Sequence, residues 1–341
     1  MMKNLLTKGF CVVVCFGWLG IVSADNGGEP SLDIGWLLFG GFYHVPSHHD
    51  EAGDGATGLV LRRGYLTFDA DLGKKTFGRV RFELNQSGKF ETYTYSADFK
   101  DLYLGWNLGK HKLIAGLTST VTYDLIESMW GYRSLVRTPL DLQGIPSRDT
   151  GVSIRGPLNA DGSLGYRAML GTGIEFGADS SGSTKWSGAL TWKPTPLWTI
   201  DLYADFEEIP GPGERSMLQA FVGYKAEYLR WGLQYSNQDR QESPPLELAS
   251  VFVVRELGES ASLIGRIDRL LEPSPRGDNI SYLPFDPSAK ATMFISGVEF
   301  RLRPWLSLTP NMIVTSYDRN DQGVRPKTDL YLRLTLFINF E

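Results

Sequence analysis

Residues 327–340, KTDLYLRLTLFINF, alternate strictly. Leu330, Leu332, Leu334, Leu336, Ile338 and Phe340 share one face, and Asp329, Tyr331, Arg333, Thr335, Phe337 and Asn339 the other. Successive strand side chains point to opposite faces, so one face is apolar and the other largely polar. The period recurs along the chain. In 77–87, Val80, Phe82 and Leu84 alternate with Arg79, Arg81, Glu83 and Asn85. In 197–207, Trp198, Ile200, Leu202, Ala204 and Phe206 alternate with Thr199, Asp201, Tyr203, Asp205 and Glu207. Sixteen segments carry this period or a strand-like composition: 32–43, 57–71, 77–87, 95–108, 111–119, 149–158, 164–175, 184–193, 197–207, 215–226, 228–238, 246–257, 260–271, 291–302, 304–318 and 327–340. The alternation is weakest in 246–271. Helix-period stripes are scarce, and no stretch beyond the first 24 residues holds the 18 consecutive apolar residues of a membrane helix. The expected fold class is all-β.

The connections separate a soluble sandwich from a membrane barrel. HVPSHHDEAGDGA, FGADSSGS, EPSPRGDNISYLPFDPSAK and RNDQGVRP are long, and the stretch 120–148 is longer still. The intervening ones, such as GKKT, NADGS, PTP and Arg303-Pro304, are short. Long loops on one side and short turns on the other describe an antiparallel transmembrane β-barrel, with periplasmic turns and external loops. A sandwich has no reason to sort its connections this way. Trp106, Trp186, Trp192, Trp198, Trp231 and Trp305 sit near strand ends, where an aromatic girdle meets the membrane interface. About sixteen strands would enclose an aqueous lumen.

Composition adds a compartment. Lys3 and Lys8 precede the apolar run from Phe10 to Val22, and Val22-Ser23-Ala24 has the small residues of a cleavage site. Residues 1–24 thus read as a secretory signal peptide, and 25–341 as one barrel domain. The two cysteines, Cys11 and Cys15, fall inside the leader, so no disulfide framework is expected in the remainder. Without the leader's two lysines the chain has 32 basic and 39 acidic residues, a net charge near −7 that argues against nucleic acid as a partner.

Three stretches, VLRRGYLTFDADL (60–72), DFKDLYLGWNLGKHKLIAGL (98–117) and SRDTGVSIRG (147–156), resemble in order and spacing the early strands of the phosphate-selective porin O and P family of Gram-negative outer membranes. The last strand, ending near Phe340, resembles the signal read by the barrel-assembly machinery. The resemblance implies a sixteen-stranded homotrimeric porin in outer-membrane lipid and lipopolysaccharide, a third external loop folded into the pore, and small anions such as phosphate as solutes. Two features differ from the family pattern. STVTYDLIES stands where a Lys-Pro-Phe-like turn is common, and the eleven lysines after the leader form no dense cluster.

A passive channel needs neither cofactor nor metal, only a constriction whose charges offset partial dehydration. The alternation places Arg63, Arg79, Arg81, Glu83, Lys112, Arg155, Arg167, Lys185, Arg230, Arg266, Arg301 and Arg333 on the lumen face. The 120–148 loop offers Asp124, Glu127, Arg133, Arg137 and Arg148 as constriction residues. The basic excess on the lumen face points to an anion channel, since guanidinium forks suit phosphate and carboxylate. The competing reading is that arginines and acids pair across the wall and stiffen it. A non-selective general porin, or a structural or adhesin barrel whose loops bind partners, is the alternative. An enzyme is not expected, because no Gly-x-Ser-x-Gly elbow occurs and His111 sits beside a turn. His44, His48, His49, Asp50, Glu51 and Asp54 cluster in the first loop, but their spacing matches no standard metal site, and the loop reads as solvated.

Overall fold

The computed structural model describes residues 30–87, 90, 94–173, 182–210, 213–240, 244–274 and 276–340. The expected leader and Glu341 lie outside these residues. The chain forms sixteen strands: β1 (Ser31–Ser47), β2 (Thr57–Asp71), β3 (Thr76–Ser87), β4 (Thr94–Leu108), β5 (His111–Ser119), β6 (Arg148–Pro157), β7 (Leu164–Gly171), β8 (Thr184–Trp192), β9 (Trp198–Ile209), β10 (Gly213–Lys225), β11 (Leu229–Arg240), β12 (Leu246–Glu256), β13 (Ala261–Leu270), β14 (Ala291–Arg303), β15 (Leu306–Tyr317) and β16 (Asp329–Asn339). Each pairs antiparallel with its neighbours in sequence, and β16 returns to β1 to close the barrel. In that seam Leu37 lies opposite Asn339, Phe42 opposite Leu334 and Ser47 opposite Leu330. Closure removes the unpaired edge that lipid could not satisfy.

The outer surface is apolar. Trp186, Leu190, Trp192, Leu202, Leu218, Leu233, Leu263 and Leu332 are exposed on it. In water a continuous apolar belt of this kind would drive association; against lipid it is the stable arrangement. No helix among the described residues is long and apolar enough to cross a membrane. At the short-turn end Trp36 and Trp305 stack on Phe340, with ring centres 4.6 and 5.1 Å away, and Trp198, Tyr224 and Trp231 form a second aromatic group. This placement agrees with the expected girdle.

Two irregularities redirect charge inward. A register shift opposite Phe39 and Gly40 lets Arg62 and Arg63, successive residues of β2, both bury inside. A second shift, opposite Arg81 and Phe82, does the same for Lys100 and Asp101 of β4. A bulge inserts one residue and re-aims its side chain, so strict alternation breaks where these charges are needed.

The interior departs from the expected uniformly polar face. Met217, Phe221, Leu248, Phe252, Val254, Ile264, Met293, Ile295 and Ile313 point inward from β10 to β15 and are buried. They pack against the 120–147 connection, whose helices α1 (Asp124–Trp130) and α2 (Pro139–Leu142) bury Ile126, Trp130, Leu140 and Leu142. This explains the weak pattern in 246–271. There Val251, Val253 and Leu263 face outward while Phe252, Val254 and Ile264 face inward, so both faces are apolar and the period-two signal disappears.

Candidate functional site

The long connection after β5 turns into the barrel because it carries its own apolar payload. Trp130 is buried, with its ring 5.5 Å from that of Phe252 and its indole N–H donating to the Val136 carbonyl at 2.8 Å. α1 ends at Gly131 in the left-handed region (φ 72°), where a Cβ would come within 3.0 Å of the Arg230 guanidinium. Glycine thus allows both the helix stop and the close approach.

A second connection, 271–290, also folds inward, which the sequence reading did not foresee. It buries Ile280, Tyr282, Leu283 and Phe285. The Tyr282 ring lies between the guanidiniums of Arg62, Arg137 and Arg333, at 5.8, 5.6 and 5.9 Å. Burial raises the Tyr282 hydroxyl pKa, but Arg137, Arg63, Arg133 and Arg62 outweigh that and bring it below its ordinary value. The signal that could have exposed this loop is its own composition, ISYLPF within a long external connection.

Several arginines expected along the pore face inward but grip these loops. Arg266 donates to the Arg137 carbonyl at 2.7 Å, Arg230 to Trp130 at 3.4 Å, Arg167 to Val121 at 3.3 Å, and Arg333 to Tyr282. Arg62, passed over in the alternation because the bulge is invisible there, donates to Leu135 at 3.0 Å and to the Thr335 hydroxyl at 2.9 Å. Each of these arginines is held against loop backbone.

The remaining candidates fall into ion-paired groups. Glu83 sits between Arg63 and Lys100, the latter at 3.1 Å. Asp101 pairs with Arg148 at 2.6 Å and Arg81 at 3.7 Å. On the facing loop Arg133 pairs with Asp141 and lies 3.6 Å from Glu127, and Arg137 lies 3.7 Å from Asp141. The Tyr123 ring spans the two sets, under Arg133 at 5.3 Å and Arg148 at 4.9 Å. Burial raises the Asp141 carboxyl pKa, yet Arg133 and Arg137 hold it well below the usual carboxylate range. Glu127 shifts the other way: burial dominates over the Arg133 charge and its pKa rises. Thus wall and loop meet through a largely buried cluster of charges.

Outside this cluster, Arg79 pairs with Asp69, Arg155 with Asp124 at 3.4 Å, and Arg301 with Glu256 and Glu299 at 2.8 and 3.2 Å. Lys185 bonds Asp205 at 2.9 Å, and Lys112 lies over the Phe77 ring at 5.6 Å near the short-turn end. His111 bonds the Tyr166 hydroxyl at 3.1 Å beside its turn. The first-loop reading is corrected too. His48 is buried, and His49 nearly so, whereas His44 sits apart, bonded to Thr57 at 2.7 Å.

No family model and no curated protein matches the sequence. Solved structures share the fold. The outer membrane channel DcaP of Acinetobacter baumannii superposes with TM-score 0.67 at 10% identity, over 93% of this chain and 99% of that one. An anion-selective porin from Comamonas acidovorans gives 0.63 at 14%, over 92% and 100%. OmpF of Salmonella typhi gives 0.61 at 10%, over 91% and 97%. At these identities the likeness concerns the closed sixteen-stranded barrel.

Proposed function

We propose that the chain is a Gram-negative outer-membrane porin through which small solutes diffuse passively, with a preference for anions. The short turns would face the periplasm and the long connections the outside. The observation that carries the anion preference is the charge of this wall-and-loop cluster. Among the described residues, Arg62, Arg63, Arg81, Lys100, Arg133, Arg137 and Arg148 meet there with Glu83, Asp101, Glu127 and Asp141, and Asp124 acts on Arg148. That is seven basic groups to five acidic ones among the described residues, in a chain that is acidic overall. Low-dielectric walls focus such an excess on the passing ion and lower the cost of dehydrating an anion. Arginine forks would favour phosphate or carboxylate over chloride. A homotrimer and the leader-directed route belong to the same reading.

Reversal potentials in planar bilayers under a KCl gradient test it. Anion selectivity is expected, with phosphate competing against chloride, and Arg133→Ala with Arg137→Ala should move the reversal potential toward zero. Clear cation selectivity would sink the proposal. A weakly selective general porin is the second reading, favoured by the pairing of Arg133 with Asp141 and Glu127. It predicts a permeability ratio near unity and little change in the double variant.

A further inference from the structure

We propose that His48, His49 and Asp329 form a binding site for a first-row divalent cation, Zn2+ being the probe of choice, at the long-loop end of the barrel. One ligand atom from each of the three lies within 4.8 Å of the others. Two imidazoles and a carboxylate form a donor set suited to zinc, with a fourth position left for water or another carboxylate.

The sequence separates these residues by some 280 positions, and barrel closure brings them together. Asp329 opens β16, and the loop after β1 lays His48 and His49 against it. The two imidazole rings stack, with centres 4.3 Å apart at 30°, so their nitrogens can turn toward one point. His49 Nδ1 lies 2.9 Å from Asp329, and His48 Nε2 lies 4.0 Å from it. Zinc–nitrogen and zinc–oxygen bonds of about 2.0–2.2 Å hold tetrahedral ligand atoms about 3.4 Å apart, so His48 must close on Asp329 and His49 must open from it, each by roughly half an ångström.

The surroundings orient the ligands as a metal site requires. His48 Nδ1 accepts the Asp50 backbone N–H at 2.9 Å and lies 3.1 Å from the Asp50 carbonyl, and its Nε2 faces Asp329 and the Tyr331 hydroxyl. Asp329 is fixed by the His49 backbone N–H at 2.7 Å and by the Tyr317 hydroxyl. His49 Nε2, on the side of the ring away from Asp329, is buried without a hydrogen-bond partner, with an Asp278 oxygen 3.8 Å away. The Asp278 side chain is half exposed and marks the way in from solution.

Charge agrees with this assignment. Asp329 from β16 and Asp278 and Asp286 from the 271–290 connection all act on His49, and Asp50 lies beside His48. Tyr317 and Tyr331 complete the titratable neighbours. Burial works against a charged His49, but Asp329, Asp286 and Asp278 hold its proton above the ordinary histidine range. That proton would leave when a metal enters. Burial lowers the His48 pKa.

The test uses the full barrel in detergent, stripped with chelator and titrated with Co2+, whose visible spectrum reports tetrahedral coordination, then displaced by Zn2+. One equivalent should bind, with affinity falling as pH drops from 7.5 to 5.5, because the imidazoles must lose protons to coordinate. His49→Ala and Asp329→Asn should each weaken binding at least tenfold, and His44→Ala should leave it unchanged. Heat-modifiable electrophoretic mobility confirms that each variant is a folded barrel. Should Asp329→Asn not fold, the half-exposed Asp278→Asn takes its place and should weaken binding several-fold. No uptake of Co2+ or Zn2+ by the wild type, or equal affinity in folded His49→Ala and its carboxylate companion, would overturn the proposal.

Discussion

Trp130→Ala should release the 120–147 connection while leaving the barrel intact. Trp130 is 1% exposed; its ring meets Phe252 at 5.5 Å, Tyr132 at 5.8 Å and the Arg266 guanidinium at 4.9 Å. Truncating a buried aromatic of this size costs about 3–5 kcal/mol. The remaining wall-to-loop holds, such as Arg62 on Leu135 and Arg266 on Arg137, contribute roughly 1.5–3 kcal/mol each as charged hydrogen bonds. Since every 1.4 kcal/mol is tenfold, the docked-to-undocked ratio should fall by roughly 10²–10³. No strand pairing involves Trp130, so electrophoretic mobility of the folded barrel should not change. Hydrogen exchange across 124–142 should accelerate by a similar factor, and single-channel conductance should rise. Unchanged exchange and conductance in a folded variant would refute the view that this side chain latches the loop.

Among the described residues, Arg148→Ala leaves the buried Asp101 with Arg81 at 3.7 Å as its remaining ion-pair partner. Breaking a buried pair costs about 3–5 kcal/mol, so thermal unfolding should move to lower temperature, and Asp101→Asn added to it should recover part of the loss. Glu127 carries a pKa raised by burial, so acidification removes its charge before that of ordinary carboxylates. Anion preference in bilayers should therefore increase as pH falls through that window, and Glu127→Gln should flatten the change. Phe340 stacks between Trp36 and Trp305, and its N–H donates to the Trp36 carbonyl at 2.8 Å. Deleting Phe340 and Glu341 together should abolish outer-membrane insertion, whereas deleting Glu341 alone should not; fractionation of cells detects either outcome.

The barrel wall was legible because strand alternation is local. The face assigned to Lys185, Arg155 or Arg333 follows from its neighbours one residue away. The long β5–β6 connection shows in the sequence through its length, and its Arg133 and Arg137 through their charge. What escaped depends on partners distant in sequence. A bulge is set by the register of two strands, so Arg62 and Lys100 could not be placed from alternation. The inward turn of 271–290 depends on an apolar patch assembled from β10 to β15. The roles of Arg230 and Arg266 depend on carbonyls about a hundred or more residues away. The histidine cluster shows the division most clearly. His48 and His49 in a loop read as solvated, and only closure of β1 on β16 buries them against Asp329. Local periodicity determined the strands, and the rhythm of long and short connections pointed to a barrel. Closure in three dimensions decided which charges meet, because Coulomb and hydrogen-bond energies depend on distance in space and not along the chain.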